Sequence, residues 1–234
     1  MKHRFYGDKK DYIKYGLLRV LSSAYKAVGV NWYLTDDHHG NQNHGNDIRY
    51  LDDESWKYYS PAVFSALKNR VKTNQRNVSF CKTDGVVQIF REFIDPLPTV
   101  TDQAAYSTQR SVWHTKAKTT LTECDLVFLD PDIGVRSQLP SGALRASEYS
   151  SHSEISDYEW CDLLVVQFLQ PRNRFQQLES NPVTQHAVGM SKKVVAFIAS
   201  SLALLYVSEK IDAVLLKRVF ETWDTKIGSH ILVA

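Results

Sequence analysis

The chain is short of several things, and each shortage closes off a class of protein. Three cysteines in 234 residues, Cys81, Cys124 and Cys161, share no short spacing of the kind that zinc sites or disulfide frameworks use, so they read as buried free thiols. No apolar run approaches the roughly 20 residues of a membrane span. The start, Met1-Lys2-His3-Arg4-Phe5-Tyr6, is basic but leads into polar residues rather than the apolar core of a secretion signal, which favours a cytoplasmic protein. Charge of one sign is lacking too: the formal net charge is +2, so any footprint for nucleic acid must be local. Internal repeats, low-complexity tracts and an interdomain linker are all missing. With 43% hydrophobic and 23% charged residues, what remains is the composition of one domain able to bury a substantial core.

The most informative stretch is Cys124-Asp125-Leu126-Val127-Phe128-Leu129-Asp130-Pro131-Asp132-Ile133-Gly134. An unbroken apolar run from Leu126 to Leu129 is the mark of a central strand covered on both faces. The strand cannot continue through Pro131, and Gly134 permits a sharp turn. Asp130 and Asp132 therefore stand at a strand's carboxyl end, where open α/β sheets bind ligands.

Other elements follow from periodicity. Ile13, Leu17, Val20, Leu21 and Ala24 form a helical stripe over 10–26, with Asp8 and Asp11 near its positive end. Strands are expected over 28–35, 78–83, 161–169, 194–199, 202–207 and 230–233. Helices are expected over 61–68, 86–93, 102–121, the start of 175–186, and 211–223. Arg110 and His114 share one helix face. Arg70, Lys72 and Arg76 make one candidate basic patch, and Arg172 and Arg174 are placed to meet phosphate. The Ser-, Arg- and Glu-rich segment 135–157 reads as a long flexible loop able to act as a lid. Helices alternating with strands, then an antiparallel-looking group, predict a three-layer α/β fold. Its sheet is mainly parallel, with helices on both faces and late antiparallel strands.

Between the first strand and the next element lies a polar loop, Asp36-Asp37-His38-His39-Gly40-Asn41-Gln42-Asn43-His44-Gly45-Asn46-Asp47. A loop at the carboxyl end of a strand is a natural binding loop. Its acids and histidines suit a divalent metal, although they form no compact metal motif.

Three segments, in order, resemble the class I S-adenosylmethionine-dependent methyltransferases. The nearest likeness is to the RlmJ type, which methylates adenine in large-subunit ribosomal RNA. Gly7-Asp8-Lys9-Lys10-Asp11-Tyr12-Ile13-Lys14-Tyr15 is similar to that family's Gly-Asn-x-x-Asp-x-x-Lys-His segment. Tyr33-Leu34-Thr35-Asp36-Asp37-His38-His39-Gly40 stands at its strand-to-loop Leu-Asp-Thr-His-Ala-Gly, and Lys82-Thr83-Asp84-Gly85 resembles Lys-Ala-Asp-Gly. Asp130-Pro131-Asp132-Ile133 stands in the place of Asp-Pro-Pro-Tyr, with an extra acid and without the aromatic ring that would stack on a flipped base. The resemblance implies a Rossmann-like fold and S-adenosylmethionine as cofactor. Lys14 and Asp36 or Asp37 would lie at its methionine end, Asp84 at its adenine and Asp130 at the reacting amine of a nucleobase, with Gly40 a further cofactor-binding candidate and Asp132 a further catalytic one. The D-P-D-x-G turn is also similar to that of uncharacterised bacterial proteins.

Two other readings stand beside this one. Asp36, Asp37, Asp130 and Asp132 would suit Mg²⁺ in a nuclease or phosphohydrolase, provided the carboxylates converge. Alternatively the fold is a degenerate, noncatalytic binding module, with Trp32, Tyr33, Trp56, Tyr58 and Tyr59 as a partner surface.

Overall fold

A computed structural model describes residues 1–37, 45–86 and 90–234. In chain order the elements are α1 (Lys9–Ser22), β1 (Val28–Asn31), α2 (Pro61–Lys72), α3 (Phe80–Thr83), β2 (Phe90–Phe93), α4 (Gln103–Leu121), β3 (Leu126–Leu129), β4 (Gly134–Arg136), α5 (Ala143–Ala146), β5 (Tyr149–Ser151), α6 (His152–Ser156), β6 (Asp162–Phe168), α7 (Arg174–Glu179), α8 (Pro182–Gly189), β7 (Lys193–Ala199), β8 (Leu202–Ser208), α9 (Ala213–Lys226) and β9 (Ser229–Leu232). Short 3₁₀ turns cover His3–Phe5, Arg49–Asp52 and Glu54–Tyr58.

Seven strands form one sheet in the order β2-β1-β3-β6-β8-β7-β9. The pairs β1/β2, β1/β3 and β3/β6 are parallel, whereas β8 runs antiparallel to both β6 and β7, and β9 antiparallel to β7. This is the mainly parallel α/β sheet with late antiparallel strands that the sequence predicts. From β1 the chain moves to β2 on one side and then to β3 on the other. A reversal of this kind opens a crevice between the carboxyl ends of β1 and β3.

Alternation along the strands divides the core into two layers. Leu126 and Phe128 face α1, α2 and α9 with Tyr12, Leu17, Phe64 and Trp223. Val127 and Leu129 face α4, α7 and α8 with Trp113, Ala117, Leu178 and Val183. Both layers are dry, which is why β3 carries no polar residue along its length. The three cysteines are buried and free.

Several expectations are corrected. The first strand ends at Asn31 rather than 35, because Tyr33 takes a left-handed backbone (φ +44°) and turns the chain. That conformation is costly for a bulky side chain. It is held by Tyr33 N–H donating to Asn31 Oδ1 at 3.2 Å and by the buried Tyr33 ring packing 5.1 Å from Trp113.

The expected strand 78–83 is instead a helical turn, α3, and the expected helix 86–93 ends in strand β2. Short apolar runs carry too little period to separate the two. The expected 135–157 loop is folded into β4, α5, β5 and α6, with β4 and β5 forming their own parallel pair. The helix expected at the start of 175–186 is α7, and a second helix, α8, follows it, capped by the Asn181 side chain ahead of Pro182. Among the described residues no helix is long and apolar enough to cross a membrane.

Candidate functional site

A cleft of about 560 Å³ opens at the β1/β3 crevice, with Asp8, Asp11, Lys14, Asp130, Asp132, Ile133 and Phe168 in its wall. Small-molecule and cofactor sites span roughly 300–1,000 Å³, so its size suits such a ligand.

Local chemistry explains how the floor is assembled. Asp8 caps α1 by accepting from Asp11 N–H at 3.0 Å, which begins the helix at the sheet's edge. One turn later Lys14 points inward, and its Nζ lies 2.9 and 3.3 Å from the two oxygens of Asp130 and 3.1 Å from Asp11 Oδ1. Tyr15 OH donates to the other Asp11 oxygen at 3.1 Å. Asp130 follows β3 directly, and its N–H bonds Asn31 O at 3.0 Å, so the two strand ends are stitched together at the site.

Lys14 and Asp130 are 5% and 1% exposed, and a buried charge of either sign survives only with such a partner. Burial opposes the charged form of Lys14, but the Asp130 and Asp11 carboxylates outweigh it and hold the ammonium well above its ordinary range. Two carboxylates share that ammonium, however. Asp11, buried and close to Asp8 and Asp130, is pushed up to about 8 despite Lys14. Burial also raises Asp8.

The other end of the cleft has the opposite balance. Asp132 meets the α-ammonium of Met1 at Oδ1 and Lys2 Nζ at 2.5 Å on Oδ2, and it accepts from Thr35 Oγ1 at 3.1 Å. Burial would raise its carboxyl; the two cations prevail and hold it well below the usual carboxylate range. The same strap is fixed to the chain after β1 by Met1 N donating to Tyr33 O at 3.0 Å and Thr35 N–H to Met1 O at 2.8 Å. The cleft wall thus mixes both signs, with Asp8, Asp11, Lys10 and Lys14 on α1 and Met1, Lys2, Asp132 and Glu148 towards the other end.

The turn after Asp132 needs its glycine. Gly134 has φ +140°, and a Cβ there would collide with the side chain of Gln167. Gln167 Oε1 in turn accepts from Val135 N–H at 2.8 Å and Asn181 Nδ2 at 3.1 Å.

Lys14, Asp130 and Asp132, then, share one cleft, as the sequence suggests. Asp36 does not join them. It is exposed and borders a separate small hollow with Leu97–Val100, Ala143, Leu144 and Ser147. Asp37 holds Arg4 through its carboxylate and its carbonyl and lies outside the cleft wall. Asp84 is also outside, taken up by a two-pronged contact with Arg70 (2.7 to 3.1 Å) and by Tyr6 OH at 3.0 Å. Gly40, and with it the His38, His39 and His44 metal reading, lies outside the described residues.

The four-aspartate metal site does not assemble. Among the described residues no group of three His, Cys, Asp or Glu is placed to hold an ion, and Asp130 and Asp132 are already matched to ammonium groups. In the 70–76 segment Arg70 is paired with Asp84, Arg76 donates to Tyr6 O and Gly45 O, and Lys72 is exposed. Of the proposed partner-surface aromatics, Trp32, Tyr33 and Tyr59 are core, while Tyr58 is exposed.

Sequence reading missed Lys2, Asp8, Asp11 and Phe168 as cleft residues. The Gly7–Tyr15 motif was the available signal for Asp8 and Asp11. For Phe168 the signal was its place at the carboxyl end of an apolar strand.

Comparison of the chain with protein-family models, curated proteins and solved structures returned no match.

Proposed function

We propose that the protein is a methyltransferase-like enzyme that uses S-adenosylmethionine on an amine of a nucleobase. One observation carries this reading: Lys14 and Asp130, distant in sequence and both implied by the family resemblance, meet in the wall of a cofactor-sized cleft at the sheet's switch point. The cofactor's methionine end carries an ammonium, a carboxylate and a sulfonium, and the cleft wall offers both carboxylates (Asp8, Asp130) and ammonium groups (Lys2, Lys10, Lys14) to such a ligand. When bound, the cofactor would supply an electrophilic methyl group.

The chain's own residues have limited tasks. Asp130 accepts an N–H of the acceptor amine, directing its lone pair away from the ring, and takes the surplus proton after transfer. Lys14 fixes Asp130 in direction through contacts of 2.9 and 3.3 Å to its two oxygens. The wall formed by α1, the amino-terminal segment and the turn after β3 excludes water and aligns the reactants, the largest service required of such an enzyme.

Differential scanning fluorimetry with S-adenosylmethionine and its demethylated product tests the binding step. A ligand at a hundred times its Kd stabilises by about 2.7 kcal/mol, a shift easily read. Asp130→Asn should keep that shift and lower methyl transfer to single-stranded RNA at least about 100-fold, the lower range for a general base. No shift for the wild-type protein at millimolar cofactor would reject the proposal. A shift without transfer to any nucleic acid would favour the noncatalytic reading, for which the internal neutralisation of Asp132 and Asp84 is the supporting observation.

A further inference from the structure

The D-P-D-I turn carries isoleucine where the resembling motif carries an aromatic ring, yet a ring stands beside it. Phe168 closes β6, which overshoots β3: Leu129, the last residue of β3, pairs with Val165, three residues before Phe168. The Phe168 N–H donates to Ile133 O at 2.9 Å, which seats the phenyl group next to position 133. Ile133, Phe168 and Asp130 line the same cleft. Phe168 is only partly buried, against the α1 side of the core, although every β6 residue from Leu163 to Val166 is fully packed. Lys10, exposed and one turn before Lys14 on α1, holds its ammonium 4.5 Å from the Phe168 ring centre. Among the described residues that ammonium makes no ion pair.

We infer that Phe168 is the stacking surface for the acceptor base, supplied from the neighbouring strand in place of the ring missing at 133, with Lys10 as its cationic cover. The inference rests on the methyltransferase reading and adds a specificity-determining residue to it. An aromatic ring flanked by a flexible cation is the pairing that single-stranded nucleic acid uses, the ring taking a base face and the cation a phosphate. Lys10 is exposed and can swing from the ring to the backbone of an incoming strand. A planar base on Phe168 would lie beside Asp130, the group assigned to its amine.

The test is fluorescence anisotropy of a labelled single-stranded adenine-rich RNA, run beside the cofactor thermal shift on each variant. Phe168→Ala should weaken RNA binding by about tenfold or more, the ratio given by roughly 1.4 kcal/mol of lost stacking, while Phe168→Trp stays near wild type. Lys10→Glu, at an exposed position, should also weaken it and flatten its salt dependence. Because Phe168 and Lys10 stand in the wall of the cofactor cleft, RNA affinity and the cofactor shift are compared on each variant: RNA affinity should fall further, and a cofactor loss as large as the RNA loss would overturn the inference. Unchanged affinity in both Phe168→Ala and Lys10→Glu would overturn the inference. So would a wild-type protein that shifts with cofactor but binds no RNA, and that outcome leaves the cofactor reading standing. If the wild type shows no cofactor shift, the reading falls and the inference with it. If Phe168→Ala fails to fold, Lys10→Glu and Phe168→Trp still decide.

Discussion

Asp11 is buried in the cleft wall and has to share its cation. Its neighbour Lys14 is shared with Asp130, and Asp8 adds a third carboxyl within the same helical turn. In the native protein Asp11 therefore keeps its proton up to about 8, against an ordinary 3.8. Between those two values the folded state holds a proton that the unfolded chain has released, so stability falls as pH rises through this window. Asp132 has the opposite sign. Its depressed carboxyl contributes stability above the ordinary carboxylate range and loses it as pH drops below. His114 and His186, lowered chiefly by burial, cost stability on acidification below about 6.5 and offset part of the Asp11 slope. Asp11→Asn cancels only the first of these contributions. Melting temperatures of wild type and Asp11→Asn at pH 5 and pH 8 should show the variant losing distinctly less, or gaining more, on going to pH 8. Equal differences in the two proteins would mean that Asp11 is ionised throughout and that Lys14 serves both carboxylates at once.

At the scale of elements, the contrast is between strands that announce themselves and a segment that does not. β3, β6, β7 and β8 are continuous apolar runs buried on both faces, and each was legible within a residue or two. The stretch from β4 to α6 has no comparable run. Much of its order comes from one buried side chain on α4. Arg110 forks onto Glu154 at 2.6 and 3.0 Å and donates to Ala146 O, Tyr149 O and Tyr106 OH between 2.6 and 3.0 Å. Glu154 meanwhile completes a capping box with Ser151 at the start of α6. A Ser- and Glu-rich composition looks like a loop because the partner that orders it lies some 40 positions earlier. The helical spacing of Arg110 and His114 marked the right face without showing what covers it.

The same geometry makes a prediction for that segment. Arg110→Ala leaves Glu154 buried without its cation, a change costing about 3–5 kcal/mol. Arg110→Lys cannot rescue it, since one ammonium cannot span the five contacts of the fork. Hydrogen exchange should accelerate across 134–157 in both variants while β7 and β8 remain protected. Uniform acceleration over the whole chain would show that the segment has no separate local stability.

For the whole molecule, the decisive feature is that one sheet separates two dry layers that share every central strand. Charge patterning could not reveal the cleft at its edge. Its balance depends on an α-ammonium and Lys2 meeting Asp132 from the far end of the sequence. The layering itself was legible from the strand runs, and it has a thermodynamic consequence. Removing either layer exposes one face of β3, β6, β7 and β8 to water, so neither layer has a stable half to leave behind. Trp32 and Trp223 report on the α1 side and Trp113 on the α4 side, all of them buried. In urea, and in a Trp56→Phe/Trp160→Phe background that removes the two remaining tryptophans, the fluorescence of Trp113→Phe and of Trp32→Phe/Trp223→Phe proteins should change in step with far-ultraviolet circular dichroism, giving one transition. A gap between the two fluorescence midpoints, beyond the difference in stability between the variants, would show that the layers unfold separately. The cleft at the β1/β3 edge would then belong to only one of the two units.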